Sequence, residues 1–494
     1  MLILITACAV RGTDINDYYR IDNIPSPKGL EAQIGGIAFL PDGRLAACFH
    51  RGEVYTYDPK TKAWKLFADG LHEPLGIIAK NDNTLVVMQR PELTRLRDTD
   101  GDGEADHYQT VSDDFGMTGN YHEFSFGPAR DKEGNYYVGL NLASSGASIR
   151  PEIRGEFRHY GISREQFYKN HKVGSGRMYS AAPYRGWVMK ITPQGKTIPF
   201  ALGFRSPNGV NFDMQGRLWV TDNQGDWLGT SKLFHVKEGN FYGHPVSLVW
   251  NKEWEKGRNP LKVHPSEFDA KRTKAVVLFP HGSMANSPTQ MLSDNTEGRF
   301  GPFAGQLLVG EMNRPRILRV ILDEVMGEIQ GACLPFIDNG GLHRGMHRFA
   351  FAPDGSLWAG QTHLSWVGGS GLQRIAWTGK TPMSVSAMNL TQTGFRITFT
   401  KPLSKVLTEN FVFERYYYRY HQSYGSPQLG REPIKITSLN LAPDRKTVSI
   451  DLKKLNPGYV YQLKLKNVMA VDKTPALNTF ICYTLNRLNN GDDR

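Results

Sequence analysis

The chain has 494 residues, 40% of them hydrophobic and 22% charged, and this balance excludes a wholly disordered protein. No apolar run reaches the roughly 18 residues that a membrane-spanning helix needs, so none is predicted. The net charge is +11, of which residues 381–494 supply +8, with 16 Lys and Arg against 8 Asp and Glu. Those charges are scattered and no recognition helix accompanies them, so we expect no nucleic-acid partner.

The N-terminal apolar run ends with Ile-Thr-Ala-Cys at positions 5–8. This resembles the end of a bacterial lipoprotein signal, in which the cysteine is lipidated. We therefore expect residues 1–24 to be the end of such a signal followed by a tether, with Cys8 as the lipidation site. The expected location is the periplasm or cell surface, where the lipid anchors the protein to a membrane. A chance hydrophobic N-terminus is the alternative, since this run has no basic segment and only a short apolar core.

Residues 25–378 repeat one pattern six times: an apolar strand, a polar turn and a second strand rich in aromatic and β-branched residues. The turns lie near positions 42, 83, 133, 216, 303 and 354. Nearly all-apolar strands such as residues 307–309 are typical of strands buried on both faces, as in blades stacked around a channel. The sequence therefore predicts an all-β fold with a six-bladed β-propeller over residues 25–378. Long insertions are expected between blades three and four and between blades four and five. A β-sandwich is the alternative, although it rarely repeats one pattern six times.

An acidic motif, Asp-Thr-Asp-Gly-Asp-Gly, occupies residues 98–103. Carboxylates at alternate positions around a glycine-containing turn direct their oxygens toward one hard cation, and Ca²⁺ binds six to eight such ligands. Position twelve of the motif is Gln109 rather than the glutamate of an EF-hand, and both flanks are predicted strands. We predict a calcium-binding hairpin loop whose ligands are Asp98, Asp100, Asp102 and Asp106. An acidic solvated turn is the alternative.

Polar residues bracket the paired strands of the fourth repeat, in the segments 203–209 and 221–227. Half-buried Arg, Asn, Gln and Asp side chains need partners, and here they cluster where loops open on a propeller face. A ligand site is one interpretation, and a structural network between blade loops is the other. Histidines and arginines stand at or just before other blade strands and favour anionic or polyhydroxyl ligands. The candidate substrate-binding residues are Asn208, Asp226, Trp227, His281 and His347.

Residues 381–485 follow a different pattern, in which apolar and polar residues alternate along four segments separated by polar turns. A period of two indicates antiparallel strands with one solvated face. We predict an immunoglobulin-like β-sandwich that braces the protein or binds a partner.

The segment 205–227, the acidic motif and the last repeat together resemble the glucose/sorbosone dehydrogenase-like propellers. The branch in question is common among secreted proteins of Bacteroidetes and Planctomycetes type, and an Ig-like domain often follows the propeller. In quinoprotein relatives a histidine takes the proton of a sugar hydroxyl, and hydride passes to pyrroloquinoline quinone held by arginines and a Ca²⁺. The resemblance implies that His122 is the catalytic base. It also implies that the cofactor is bound by Arg205, Gln224, Gly225, Arg344 and Arg348.

Three functional hypotheses remain open at this point. The first is an extracytoplasmic sugar or glycoside oxidoreductase, with a quinone as one option for its cofactor. In this hypothesis Asp226 or Arg344 positions the substrate. Because the chain has no CxxCH motif, such an enzyme needs a separate electron acceptor. The second is a non-catalytic carbohydrate-binding protein of the cell surface. The third is a hydrolase or lyase that uses histidine and arginine, because propellers host many chemistries.

Overall fold

Antiparallel strands make up nearly all regular structure in the computed structural model, which describes residues 14–145, 153–169, 177–364 and 367–491. Six four-stranded sheets succeed one another along the chain, and the innermost strand of each packs against those of its two neighbours. The predicted six-bladed β-propeller is thereby confirmed. Two short α-helices lie in long loops, α1 (Arg164–Lys169) and α2 (Pro265–Asp269). None of the helices in the described ranges has the length and apolar character needed to cross a membrane. Cys8 lies outside the described residues.

The strands of the propeller run from the channel outward in chain order within each blade. The first strand, β1 (Tyr19–Ile24), belongs to blade six; blade one comprises β2 (Ile34–Phe39), β3 (Leu45–Phe49), β4 (Val54–Asp58) and β5 (Ala63–Ala68), and blade two comprises β6 (Ile77–Asn81), β7 (Thr84–Met88), β8 (Leu93–Arg97) and β9 (His107–Ser112). Blade three comprises β11 (Ser125–Arg130), β12 (Tyr136–Leu140), β16 (Trp187–Ile191) and β17 (Thr197–Leu202). Four short strands form two separate pairs: β10 (Met117–Thr118) with β14 (Ile153–Arg154), and β13 (Ala143–Ser144) with β15 (Met178–Tyr179). The later blades comprise β18 (Gly209–Phe212), β19 (Leu218–Asp222), β20 (Ser231–Val236) and β21 (Val277–Phe279) in blade four; β22 (Pro288–Ser293), β23 (Leu307–Glu311), β24 (Arg316–Val325) and β25 (Glu328–Asp338) in blade five; and β26 (Met346–Phe351), β27 (Leu357–Gln361) and β28 (Gly371–Trp377) in blade six.

In five of the six blades the second strand is buried along its whole length. Every residue of β3, β12, β19, β23 and β27 is buried. Each of these strands has a sheet neighbour on both sides and another blade against each face, so both sets of side chains leave water. This environment explains why the sequence shows apolar runs here instead of an alternating pattern.

The ring closes through the N-terminal strand. β1 pairs antiparallel with β28 along six residues, from Tyr19 opposite Trp377 to Ile24 opposite Leu372, and so forms the outer edge of blade six. This corrects the prediction that residues 1–24 are entirely signal and tether, because positions 19–24 are part of the propeller. The strand was missed because it stands alone, far from the rest of its blade in sequence.

Two long insertions lie within blades, not between them. Residues 141–186 separate β12 from β16 in blade three, and residues 237–276 separate β20 from β21 in blade four. The prediction that these insertions fall between blades is therefore wrong. The sequence pattern marks only the first two strands of each blade, so the later strands were counted with the gaps. Both insertions pack over what we call the upper face, the face at which the innermost strand of each blade begins.

The C-terminal residues form a β-sandwich that shares a sheet with blade five. Its strands are β29 (Val385–Leu390), β30 (Gly394–Phe399), β31 (Phe411–Tyr417), β32 (Leu429–Ile434), β33 (Ile436–Leu441), β34 (Thr447–Leu452), β35 (Tyr459–Leu465) and β36 (Phe480–Leu485). β36 pairs with β25, which makes one eight-stranded sheet of blade five and half of the sandwich. Cys333 lies opposite Cys482 at this junction as a free thiol, and both are fully buried, as is Cys48.

The junction between propeller and sandwich depends on a buried carboxylate, Asp323 of β24. One of its oxygens accepts hydrogen bonds from the Leu390 amide (2.7 Å) and the Tyr483 hydroxyl, and the other accepts one from the Asn389 side chain (3.0 Å). Asp323→Ala would leave these donors buried without a partner. We expect a loss of about 2–4 kcal/mol in the free energy of unfolding, measured by denaturant titration. Glu324→Ala, at the exposed neighbouring position, is the matched control and should change it by less than about 0.5 kcal/mol. Equal effects of the two substitutions would contradict this account.

Candidate functional site

The two polar segments of blade four meet at the upper face. Residues 205–208 precede β18 and residues 223–227 follow β19, and because these strands are antiparallel neighbours both segments lie at the same end of the hairpin. The Asp222 carboxylate fixes the turn before β18, since it accepts hydrogen bonds from the backbone amides of Arg205 (3.0 Å) and Ser206 (2.6 Å). The structure therefore corrects the expectation that the polar residues lie at both ends of the hairpin. They form a single group.

The half-buried side chain of Arg205 is the cation of this group. It lies across Gly225, where an added Cβ would come within 2.5 Å of the Arg205 Cδ atom. The guanidinium makes no ion pair or hydrogen bond with any described residue, and its buried Nε has no partner. The neighbouring Gln224 also carries a buried Oε1 without a partner. Buried polar atoms are usually satisfied, so unpaired ones that converge in a cleft are a mark of a ligand site.

His122, on the loop before β11, completes the group with a defined proton arrangement. Its Nδ1 lies 2.7 Å from the backbone oxygen of Leu142, and since a carbonyl only accepts, Nδ1 carries the proton. In the neutral ring the lone pair is therefore on Nε2. Burial, together with the nearby charge of Arg205, lowers the pKa of His122 to about 3. The ring is neutral at physiological pH and is able to accept a proton on Nε2.

Asp226 supplies the fourth member. It is 4% exposed, and its Oδ2 accepts a hydrogen bond from the Met178 amide (3.2 Å) in the blade-three insertion. Its Oδ1 lies 3.4 Å from Nε2 of the fully buried His244. Burial by itself acts to raise the pKa of Asp226, but His244 and Arg205 outweigh it and the pKa is lowered. Asp226 is thus an ionised buried group that ties the insertion to blade four. We call His122, Arg205, Gln224 and Asp226 the polar centre.

A cavity of about 440 Å³ opens beside His122. The rings of Tyr121 and Phe124 line it, and both lie close to the His122 ring, with centroids 5.8 and 6.3 Å away. Its other walls come from blades one, two and six and the blade-three insertion, and include His50, His72, Glu73, Arg90, Arg154 and Leu364. These histidines were not predicted as site residues, because single histidines before or after a strand give no motif. The volume is sufficient for a monosaccharide or a slightly larger ligand.

Three of the predicted residues form the floor of the channel. Arg348 is buried and donates to the Asn208 side chain (2.8 Å) and to the backbone oxygens of Leu75 and His347. His347 is fully buried, with Nδ1 3.1 Å from the Ile34 oxygen and Nε2 without a partner. Burial lowers the pKa of His347 well below its usual value. The structure thus brings Arg348, Asn208 and His347 together below the cavity. Their polar groups are bonded mainly to other groups of the protein, which leaves few of them for a ligand.

The remaining predicted residues lie apart from the polar centre. Trp227 is 1% exposed, and its ring packs against Phe268 and Tyr420. His281 is exposed, and its backbone amide donates to the Thr230 hydroxyl (3.2 Å). Arg344 is exposed in the loop before β26. The side chain of Trp227 therefore serves the apolar core, and the other two lie on the surface.

A loop of the C-terminal sandwich, residues 418–428 between β31 and β32, covers the polar centre. Its Gly425 amide donates to the Gly225 oxygen (2.9 Å), and a Cβ at Gly425 would collide with the Gln224 amide nitrogen. Tyr424 pairs with Asp226 in an isolated bridge, and its ring lies beside the Arg205 guanidinium. We call this segment the capping loop. No sequence signal points to this loop, since it is some 200 residues from blade four and belongs to another domain.

The acidic motif lies on the opposite, lower face. Asp98, Asp100 and Asp102 each place a carboxylate oxygen within 4.8 Å of the others. Asp98 is already engaged, since it accepts hydrogen bonds from the Gly101 and Gly103 amides (2.7 and 2.9 Å). Asp106 turns to Thr99, whose amide and hydroxyl donate to it. Three of the four predicted calcium ligands therefore converge, and the fourth does not.

If the loop binds Ca²⁺, the double substitution of Asp100 and Asp102 by alanine should abolish binding in isothermal titration calorimetry. Glu104→Ala, in the same loop and outside the group of three, should leave it unchanged. Ca²⁺ bound at this place is expected to raise the melting temperature, because a ligand that binds only the folded state stabilises it. Unaltered Ca²⁺ binding by the double variant would remove the assignment.

The residues present do not fit the quinone that the resemblance implies. The backbone oxygen of Gly225, a predicted cofactor-binding residue, already accepts a hydrogen bond from the Gly425 amide. The Arg348 guanidinium donates its hydrogen bonds to protein groups at the channel floor, and Arg344 lies on the surface. The acidic motif, the predicted calcium site, is on the far face of the propeller. Of the three predicted arginines, only Arg205 lies at the polar centre with its guanidinium unpaired among the described residues, so the arginines that the resemblance assigns to the quinone are not brought together there.

Comparisons with known proteins give a family without an assigned function and several solved structures at low identity. Residues 55–198 match a domain of unknown function (DUF7133), and no curated protein matches the chain. An aldose sugar dehydrogenase from Streptomyces coelicolor in its PQQ-bound form is 15% identical, with 73% of this chain and 98% of that chain covered and a TM-score of 0.45. The PQQ domain of pyranose dehydrogenase from Coprinopsis cinerea is 13% identical, with coverage of 72% and 95% and a TM-score of 0.48. A family AA12 carbohydrate-active enzyme of Trichoderma reesei is 12% identical, with coverage of 75% and 100% and a TM-score of 0.47. At these values the function of this chain has to rest on the geometry of its own site.

Proposed function

We propose that the protein is an extracytoplasmic oxidoreductase that acts on a hydroxyl group of a sugar or glycoside at the polar centre. The observation that carries the proposal is His122, a neutral imidazole whose Nδ1–H is held by the Leu142 oxygen and whose Nε2 has no hydrogen-bond partner among the described residues. The cavity lined by Tyr121 and Phe124, the neighbours of His122, provides room for the ligand. The Arg205 guanidinium, which has no hydrogen-bond or ion-pair partner among the described residues, provides a cation. The lipid anchor at Cys8 is part of this proposal, because it would place the propeller outside the cytoplasm.

The chemistry follows from the two free groups. His122 Nε2 accepts the hydroxyl proton, while the Arg205 guanidinium stabilises the negative charge that develops on the oxygen. The carbon then gives up hydride to a separate two-electron acceptor, and the C–O bond becomes a carbonyl. His122 afterwards releases its proton readily, because its low pKa makes the imidazolium a strong acid. Balance requires only an external acceptor, in keeping with the lack of a haem motif in the chain.

Dye-coupled assays on the purified protein test this proposal directly. Reduction of an artificial acceptor by members of a sugar and glycoside panel supports it. The rate should not depend on added pyrroloquinoline quinone and Ca²⁺, since the residues do not fit that cofactor. No dye reduction with any sugar, with or without the quinone, would contradict it.

Carbohydrate binding without turnover is the second candidate function. The specific observation in its favour is Tyr424, a large aromatic side chain that is 43% exposed at the polar centre. Exposed aromatic rings beside a polar cleft are typical of binding surfaces. Affinity electrophoresis on a polysaccharide panel, run beside the dye assay, separates the two functions: retarded migration without dye reduction favours binding alone.

A further inference from the structure

The capping loop is held firmly against the propeller although it belongs to the sandwich. Besides the Gly425 contact, the Ser426 amide donates to the Gly229 oxygen (2.9 Å) and the Tyr420 hydroxyl donates to the Gly243 oxygen (2.6 Å). The Arg272 guanidinium packs over the Tyr420 ring at 4.7 Å. The shared sheet of blade five fixes the base of the sandwich, and these contacts tie its loop to blade four. The capping loop is therefore a wall of the polar centre.

Tyr424 is the residue that this wall presents to the cleft. Its ring centroid lies 3.9 Å from the guanidinium carbon of Arg177 and 5.8 Å from that of Arg205. Guanidinium groups at such distances attract the ring through its quadrupole and hold it in place. The ring nevertheless stays 43% exposed, which leaves apolar area for another molecule to cover.

The charges around Tyr424 favour an anionic ligand. Arg205 has no ion-pair partner among the described residues, and Arg177 is a second, exposed arginine beside the ring. The nearby carboxylate, Asp226, already accepts from the Met178 amide and lies against His244. A bidentate guanidinium suits carboxylate and sulfate oxygens better than neutral hydroxyl groups.

We propose that the capping loop completes the ligand site and that the ligand is an anionic saccharide. Its acidic group binds the guanidinium groups of Arg205 and Arg177, and its sugar ring packs on Tyr424. This inference rests on the proposed function only for the place of the ligand, and it adds the substrate class and a specificity-determining residue from the C-terminal domain. Carboxylate and sulfate share the relevant chemistry, so both are included in the test.

Isothermal titration calorimetry of the full chain tests this with trigalacturonate, a chondroitin sulfate disaccharide and neutral cellotriose as probes. We expect at least one anionic probe to bind at least tenfold more tightly than cellotriose. Tyr424→Ala should weaken that binding by about tenfold, because the ring contact is lost while the rest of the loop stays in place. Tyr424→Phe should retain binding, and Gln422→Ala, an exposed residue of the same loop, should change nothing. Melting temperatures of all variants identify any that fail to fold.

Two outcomes would overturn the inference: cellotriose binding as tightly as both anionic probes, or Tyr424→Ala binding like the unmodified protein. The failure of the proposed function looks different. In that case the anionic probe binds and depends on Tyr424, but no dye is reduced, so a binding protein with the inferred specificity remains.

Discussion

His122→Gln should lower kcat/KM for sugar oxidation by about 10³-fold, the usual contribution of a general base. Glutamine is similar in size and polarity but does not accept a proton at neutral pH. Steady-state dye reduction with the best sugar of the panel measures the effect. The matched control is His281→Gln, an exposed histidine that lies apart from the polar centre, and its kcat/KM should stay within twofold. Comparable losses in both variants would show that His122 is not the base.

The pH profile gives an independent check on the same residue. Because the pKa of His122 is lowered to about 3, the ring stays neutral as pH falls through 6.5, the ordinary range of histidine. Activity should therefore remain level between pH 8 and about 5, and decline only as pH approaches the lowered value. A decline in kcat/KM centred near pH 6.5 would contradict the assigned environment.

A pH-dependent effect on stability concerns His159 in the blade-three insertion. His159 is 6% exposed, and neither of its ring nitrogens has a hydrogen-bond partner among the described residues, while the ring centroids of Tyr160 and Phe167 lie 3.9 and 4.9 Å from its own. Burial lowers its pKa to about 3, so below pH 6.5 the unfolded chain binds a proton that the folded protein does not. Stability from this group is complete above pH 6.5 and is lost as pH falls toward 3. At pH 4.5 the loss amounts to about 2.7 kcal/mol.

His159→Phe should remove that part of the acid destabilisation. The substituted ring keeps the aromatic packing and removes two unsatisfied polar atoms, so stability at pH 7.5 should hold or rise by about 1 kcal/mol. Between pH 7.5 and 4.5 the variant should lose about 2.7 kcal/mol less than the unmodified protein in denaturant titrations. His107→Gln, at an exposed position on β9, should leave the pH dependence unchanged. If the free energy of unfolding falls equally with pH in His159→Phe and in the unmodified protein, the account is contradicted, because His159 would then be charged in the folded state.

The fold was predictable where one physical environment recurs. The second strand of a blade, such as β3 or β19, is buried on both faces. The apolar runs of these strands and the turns between the strands therefore repeat along the chain. The outer strands vary more, because they lie toward solvent and loops. This is why β1 was interpreted as a tether and why the insertions within blades three and four were placed between blades.

The polar centre was predictable in part. Arg205 and Gln224 are both adjacent to one hairpin, so short-range spacing was enough to bring them together. Arg348 could not be distinguished from a ligand-binding arginine, since two of its acceptor residues, Leu75 and Asn208, lie far from it in the chain. Tyr424 could not be predicted for a similar reason. The pairing of β25 with β36, a contact between residues some 150 positions apart, brings it to the polar centre.

A crystal structure of the protein soaked with trigalacturonate would test the central claim most directly. Our account predicts the sugar at the upper face, with an acidic group at Arg205, a ring on Tyr424 and a hydroxyl near His122 Nε2. Sugar bound only in the groove of the lower face beside Tyr57 and Trp358, with the polar centre empty, would contradict it.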